Sequence, residues 1–116
     1  MADDDLKVPL TKRRCIPCEG GVDPMTPQEA QEIMAQLNEE WMLVDDAHLL
    51  VREFRFKDFK DGIAFVNKVA AIAEAEGHHP DLAISWGAVS VELTTHAIDG
   101  LSENDFILAA KIDEIL

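Results

Sequence analysis

Between Val89 and His96 the side chains alternate in character. Val89, Val91, Leu93 and Thr95 fall on one side of an extended chain, and Ser90, Glu92, Thr94 and His96 on the other. Successive side chains of a strand point to opposite faces, so the run predicts a strand with one buried face and one wet or functional face. Such a strand belongs in a sheet covered on one side only, the habit of antiparallel sheets. Its natural partner lies just upstream, where Leu82, Ile84 and Trp86 alternate and Gly87 permits a turn.

A second strand pair comes earlier. Trp41 to Val44 reads as one strand, Asp45-Asp46-Ala47 as a turn, and His48 to about Phe56 as the other. So short a loop between apolar runs favours an antiparallel hairpin. Leu50, Phe54 and Phe56 share a face that Arg52 interrupts, so that face is expected to be only partly covered.

Three amphipathic helices flank these pairs. Thr26 can cap the first, with Pro27 at its first position and Glu29 completing a capping box. Ala30, Ile33, Met34 and Leu37 then make its apolar stripe. Asp58, with Asp61 three residues on, opens the second, which runs to about Glu76 and stops at Gly77. Its predicted buried stripe is Phe59, Ile63, Val66, Val69 or Ala70, and Ala73. Ser102 and Asp105 make a capping arrangement for the third, whose apolar side is Phe106, Ala109 or Ala110, Ile112 and Leu116. The order is therefore α-β-β-α-β-β-α. The economical packing is an α+β two-layer sandwich, a four-stranded and largely antiparallel sheet with three helices on one face.

A chain of 116 residues is close to one domain. Residues 1–24, with Pro9, Pro17, Gly20, Gly21 and Pro24, sustain no period and read as a flexible or extended arm; residues 25–116 read as the single domain. With 23 acidic against 10 basic side chains the net charge is −13, which repels a phosphate backbone and argues against nucleic acid. The one basic cluster, Lys12-Arg13-Arg14, reads as solvated. No apolar run is long enough to span a membrane, and MADDDLKVPL has no apolar block of a secretory signal. The expectation is a cytoplasmic protein that binds neither nucleic acid nor membrane.

The unusual local feature is EAEGHHPD, which brings Glu74, Gly77, His78, His79, Pro80 and Asp81 to the junction of a helix and a strand. If the strands about Gly87 pair, His96 at the far end of one borders the start of the other. Pro80 restrains the residue before it to extended conformations. Histidine suits a reaction in which a proton must both leave and arrive near neutral pH. Glu74, four residues before His78, could hold one imidazole in a chosen tautomer. Two other readings stand beside this one. Histidines at a helix terminus can be exposed residues that gain from the helix dipole, and His78, His79, His96 and Glu74 could supply three nitrogens and an oxygen to a metal. Against the metal, side chains on consecutive residues usually point apart.

Cys15-Ile16-Pro17-Cys18 has the spacing of half a zinc site or of a redox dithiol, but lacks the second pair for the one and the strand–helix context for the other. Asp99-Gly100 reads as a turn. Asp105 is accounted for by its place at the third helical position, His48 as a surface or edge residue, and Trp41 and Trp86 as core or interface. Acids concentrate after residue 60, ten against two bases, and could favour imidazolium forms near the histidines.

Glu74, His78-His79-Pro80, Trp86, His96 and Asp105 stand at the spacing of the signature of the pterin-4a-carbinolamine dehydratases, and the segment THAIDGLSENDF is similar to theirs. The chain resembles that family over roughly residues 24–116, and CIPCEGG looks like the arm of bacterial members. The resemblance implies a hydro-lyase that dehydrates 4a-hydroxytetrahydropterin to quinonoid dihydropterin, without metal or other cofactor, recycling the tetrahydropterin used by aromatic amino acid hydroxylases. It implies His78 and His96 as the acid–base pair, His79 as a group that holds and polarises the carbinolamine, and Glu74 as their orienting carboxylate. Gly77, Leu82 and Thr95 would border the pterin, with Pro80, Trp86 and Asp105 supporting the site. Gly77 and Leu82 depart from the family, which often has Asp and Trp at those places; Leu covers a ring edge but cannot stack as an indole does. A homodimer or homotetramer is implied as well. The rival classes are a non-catalytic assembly or coactivator protein with the same fold, and a histidine metalloprotein.

Overall fold

The computed structural model describes residues 8–16 and 22–116. In chain order the elements are α1 (Pro27–Met34), β1 (Met42–Val44), β2 (Leu49–Arg55), α2 (Phe59–Glu76), β3 (Asp81–Ser85), β4 (Ala88–Leu93) and α3 (Glu103–Asp113), with short 3-10 turns at Leu10–Lys12 and His96–Ile98. The strands form one antiparallel sheet in the order β1-β2-β4-β3. This is the α+β architecture and element order read from the sequence. None of the described helices is long and apolar enough to cross a membrane.

The two hairpins meet through β2 and β4, where Leu50 pairs with Leu93 and Phe54 with Val89. Those four side chains and Val91 are buried, in one cluster with Ala30 of α1, Phe65 and Val69 of α2, and Phe106, Leu108 and Ile112 of α3. The opposite face keeps Glu53, Ser90 and Ala83 at least partly in solvent. Helix starts follow the caps. Thr26 and Glu29 exchange the two bonds of a capping box, and Asp58 Oδ1 accepts the Asp61 N–H at 2.8 Å.

Several local expectations are corrected. The buried stripe of α2 is Gly62, Phe65, Val69 and Ala73, whereas Phe59 is 47% exposed and Ile63 and Val66 are half-buried. This helix is apolar on two adjoining stripes. The one that wins contains Gly62, where an added Cβ would already touch Phe56 and Val89 at 3.6 Å. Arg52 does not leave its face uncovered. It reaches Asp113 at the end of α3 (2.7 Å) and lies over the Phe54 ring, while Trp41 Nε1 donates to the same carboxylate. Trp41 is core, but Trp86, at the β3–β4 turn, is 68% exposed.

The last strand ends at Leu93, short of His96. Beyond it a bridge between Thr95 and Gly100 closes the 3-10 turn that carries His96, with Asp99 in the left-handed region at φ 53°. Asp99-Gly100 is more than a turn signal, because a Cβ on Gly100 would lie 2.5 Å from that of Pro24.

The amino-terminal segment packs on the domain. Leu10 is buried in the core and Arg13 pairs with Glu103 of α3 at 2.7 Å, so that arginine is not merely solvated. Residues 1–7 and 17–21, including Cys18 of the CxxC pair, lie outside the described residues.

Candidate active site

The histidine loop is set by how α2 stops. Gly77 takes a left-handed conformation (φ 67°), its N–H and that of His78 both returning to the Ala73 carbonyl. A residue with a Cβ would be strained there, so Gly at this position serves the exit of the chain from the helix. The chain then turns through His78, His79 and Pro80 directly into β3. Antiparallel pairing of β3 with β4 places Asp81 opposite Glu92, and so brings the start of one strand beside the end of the other. His96 follows just beyond.

His78, His79 and His96 line one shallow cavity of about 260 Å³ together with Gly77, Thr94 and Thr95. A groove of about 480 Å³ beside Glu40, Met42 and the Arg52–Arg55 stretch holds no histidine. The sequence-predicted residues that converge are therefore the three histidines, Gly77 and Thr95. Leu82 packs against the core beside Val91, and neither it nor Trp86 lines the cavity. Pro80 connects the paired histidines to β3.

Each of the three histidines has a carboxylate partner. His78 Nε2 lies 2.6 Å from Asp105 Oδ1, with the imidazole 12% exposed and the carboxylate fully buried. His79 Nε2 meets Glu74 Oε2 at 2.5 Å, both side chains exposed. His96 Nε2 stands 4.0 Å from Asp81 Oδ2, again with both exposed. Glu74 thus reaches His79, one residue beyond the nearer histidine, because the chain leaves the helix at Gly77.

Asp105 has the most demanding role. Its Oδ2 accepts from Thr95 Oγ1 at 2.8 Å and from the Ser102 N–H at 3.0 Å, while Thr95 and Ser102 hydroxyls bond each other at 2.7 Å. A helix-cap account of Asp105 is incomplete, since one oxygen caps α3 and the other holds His78. A buried carboxylate needs such partners, and here all lone pairs in use are directed by rigid elements. In the neutral ring, pairing of Nε2 with the carboxylate favours the tautomer with the proton on that nitrogen.

Asp81 and Thr94 were not singled out for roles by sequence reasoning, and Ser102 only as a helix cap. Thr94 Oγ1 donates to the His48 carbonyl at 2.8 Å and so ties the β1–β2 hairpin to the end of β4. Asp81 alone had a legible signal, its place at the start of a strand whose partner ends near His96. Among the described residues no group of three or more His, Cys, Asp or Glu side chains is arranged to hold a metal ion. Burial, reinforced by Glu76, pushes the Cys15 thiol up to about 12, which keeps it protonated and poorly nucleophilic at neutral pH.

Comparison with known proteins gives a consistent result. The sequence profile described as Pterin 4 alpha carbinolamine dehydratase matches residues 23–115. A protein of Rickettsia bellii bearing the name pterin-4-alpha-carbinolamine dehydratase is 54% identical over 90% of this chain and 91% of its own length. One of Alkaliphilus metalliredigens with the same name is 49% identical over 90% of this chain and 94% of its own. A solved structure titled transcriptional coactivator/pterin dehydratase, from Brucella melitensis, superposes with a TM-score of 0.74 at 33% identity, covering 80% of this chain and 98% of that one. A pterin dehydratase-like protein described as a RuBisCO assembly factor of the alpha-carboxysome shares the fold, with a TM-score of 0.58 at 23% identity over 67% of this chain and 90% of that one.

Proposed function

The chain belongs to the pterin 4 alpha carbinolamine dehydratase family, and on that premise we propose that its three-histidine cavity dehydrates 4a-hydroxytetrahydropterin by acid–base catalysis. The observation that carries this reading is the buried Asp105–His78 pair at the wall of a cavity that His79 and His96 share. In the reaction the C4a–O bond breaks, the hydroxyl takes a proton and departs as water, and a ring nitrogen gives up a proton to leave quinonoid dihydropterin. One proton is supplied and one is taken, so the site's proton count is unchanged, and exchange with solvent returns each residue to its starting form.

His78 is the group best organised for this exchange. Asp105 holds its Nε2 and would stabilise the imidazolium that forms when Nδ1 takes a proton. His96, which lines the same cavity and is 78% exposed, supplies the second site of proton transfer, with Asp81 Oδ2 4.0 Å from its Nε2. His79, held by Glu74, binds and polarises the carbinolamine in this reading. Thr95 borders the cavity while anchored to Asp105, so substrate and base are held by one network. A cavity of about 260 Å³ is suited to a small flat bicycle with its side chain left in solvent.

The protein acts as a homo-oligomer in the cytoplasm in this reading, consuming the carbinolamine that aromatic amino acid hydroxylases release. The test is turnover of freshly generated carbinolamine by the purified protein, with and without chelator. Turnover retained in chelator supports the metal-free mechanism; loss on chelation favours the histidine metalloprotein. Partner binding with no turnover would favour an assembly or coactivator protein and overturn the proposal.

A further inference from the structure

Two helix ends must stay at a fixed separation for His78 to keep its bond to Asp105. One is the C-terminal end of α2, where Glu76 immediately precedes Gly77 and His78. The other is the first turn of α3, where Asn104 immediately precedes Asp105. Both are gripped by two consecutive residues of the amino-terminal segment. The Cys15 N–H donates to Glu76 Oε1 at 2.8 Å. The Ile16 N–H donates to Asn104 Oδ1 at 3.0 Å, and Asn104 Nδ2 donates back to the Ile16 carbonyl at 2.6 Å.

Asn104, only 5% exposed, therefore pairs with the arm as a peptide group would pair in a sheet. The second oxygen of Glu76 accepts from Lys111 Nζ of α3 at 2.6 Å, so the same carboxylate also ties α2 to α3 directly. Leu10 in the core and Arg13 on Glu103 anchor the segment upstream of the grip. Gly77 is an exposed glycine with no neighbour within 4 Å of its would-be Cβ, so beyond the cap bonds of Gly77 and His78 to the Ala73 carbonyl it adds no side-chain packing to hold the exit of His78 from the helix.

We infer that residues 8–16 form a strap that positions His78 against Asp105, with Asn104 and Glu76 as positioning residues that act through it and do not touch substrate. The inference rests on the reading of His78 as the acid–base group. A strap of this kind sets the rate of the proton-transfer step more than the strength of substrate binding, because misplacing a catalytic group by a fraction of an ångström costs rate.

Two full-length variants test it. Asn104→Ala removes both bonds to Ile16. Ile16→Pro removes one N–H at a side chain that is 71% exposed, without touching the core, and carries the test if the first variant does not fold. Ile16→Ala, which keeps the backbone donor, is the control. The first readout is the NMR signal of the His78 Nε2 proton, recorded without pterin. The expected result is a weakened, faster-exchanging resonance in Asn104→Ala and Ile16→Pro, with Ile16→Ala like wild type. The second readout is kinetic, with kcat down on the order of tenfold and KM changed much less. Variants that melt earlier but keep the wild-type His78 signal and kcat would show a strap that only adds stability, and would overturn the inference. Absence of turnover in the wild-type protein would instead overturn the functional reading, while the resonance still decides the strap.

Discussion

Asp105 is fully buried and its Oδ1 lies 2.6 Å from Nε2 of His78, although 27 residues separate the two in sequence. The carboxylate spends its other oxygen on Thr95 and on the Ser102 N–H. It is thus a cap for α3, an anchor for the end of β4 and the partner of a cavity-lining imidazole at once. Asp105→Asn keeps the shape and loses the charge. We expect kcat to fall by about 100-fold or more, since the ring loses the carboxylate that holds its Nε2. Steady-state turnover, with circular dichroism to confirm folding, checks this.

His96 is as exposed as Asp105 is buried. The side chain is 78% exposed and stands on a 3-10 turn closed by the Thr95–Gly100 bridge, so its removal leaves the core intact. His96→Ala should lower kcat by about 100-fold, the usual scale for one acid–base group, with little change in melting temperature. Wild-type turnover would remove His96 from the mechanism.

Gly100 is tested by stability. A methyl group there would sit 2.5 Å from Pro24 Cβ, where the Met25 N–H also bonds the Leu101 carbonyl at 2.8 Å. Gly100→Ala should cost about 2 kcal/mol and lower the melting temperature by roughly 5–10 °C, measured by thermal denaturation.

The Trp41–Asp113–Arg52 cluster closes the other end of the core. Burial, the largest influence on Asp113, raises its carboxyl above the ordinary value even though Trp41 and Arg52 oppose the rise. A raised folded pKa means that folding disfavours the charged form, so this group's contribution to stability declines as pH rises through that value. Removing it still leaves Arg52 buried without its counter-charge. Asp113→Ala should therefore destabilise by about 3 kcal/mol at neutral pH in urea titration.

Glu76 carries the opposite sign. Burial pushes its carboxyl up, but the Lys111 ammonium and the Cys15 N–H outweigh burial and hold it below the ordinary value. A depressed folded pKa means stability that is complete above the unfolded value and is lost as pH falls through the folded one. The stability difference between wild type and Glu76→Gln should be greatest near neutral pH and shrink on acidification, read from urea midpoints between about pH 7 and pH 3. A difference that stays constant with pH would show that the ionised carboxylate contributes nothing.

Alternation in β4, the capping boxes at Thr26 and Ser102, and Gly77 were sufficient to read the element order and the sheet type. Each is a local signal, set by the backbone and by side chains a few residues apart. The rotation of α2 was not legible in the same way. Two apolar stripes compete there, and the choice depends on how closely Gly62 approaches Val89 and Phe56 across the structure. Arg52 misled for a related reason, since its counter-charge Asp113 is 61 residues away.

For the site, sequence spacing drew attention to Glu74, His78, His79 and His96 because histidines beside Gly and Pro at a helix–strand junction are chemically conspicuous. It could not assign partners. Glu74 pairs with His79, Asp81 faces His96, and the carboxylate of His78 comes from the helix cap of α3. Secondary structure, topology class and the histidines proposed to transfer protons were legible in the chain's local chemistry. Which carboxylate holds which imidazole, and the grip of Cys15 and Ile16 on Glu76 and Asn104, were decided only when α2, β4 and α3 packed together. Hydrogen bonds act over about 3 Å, and only tertiary packing brings residues so far apart in sequence to that distance.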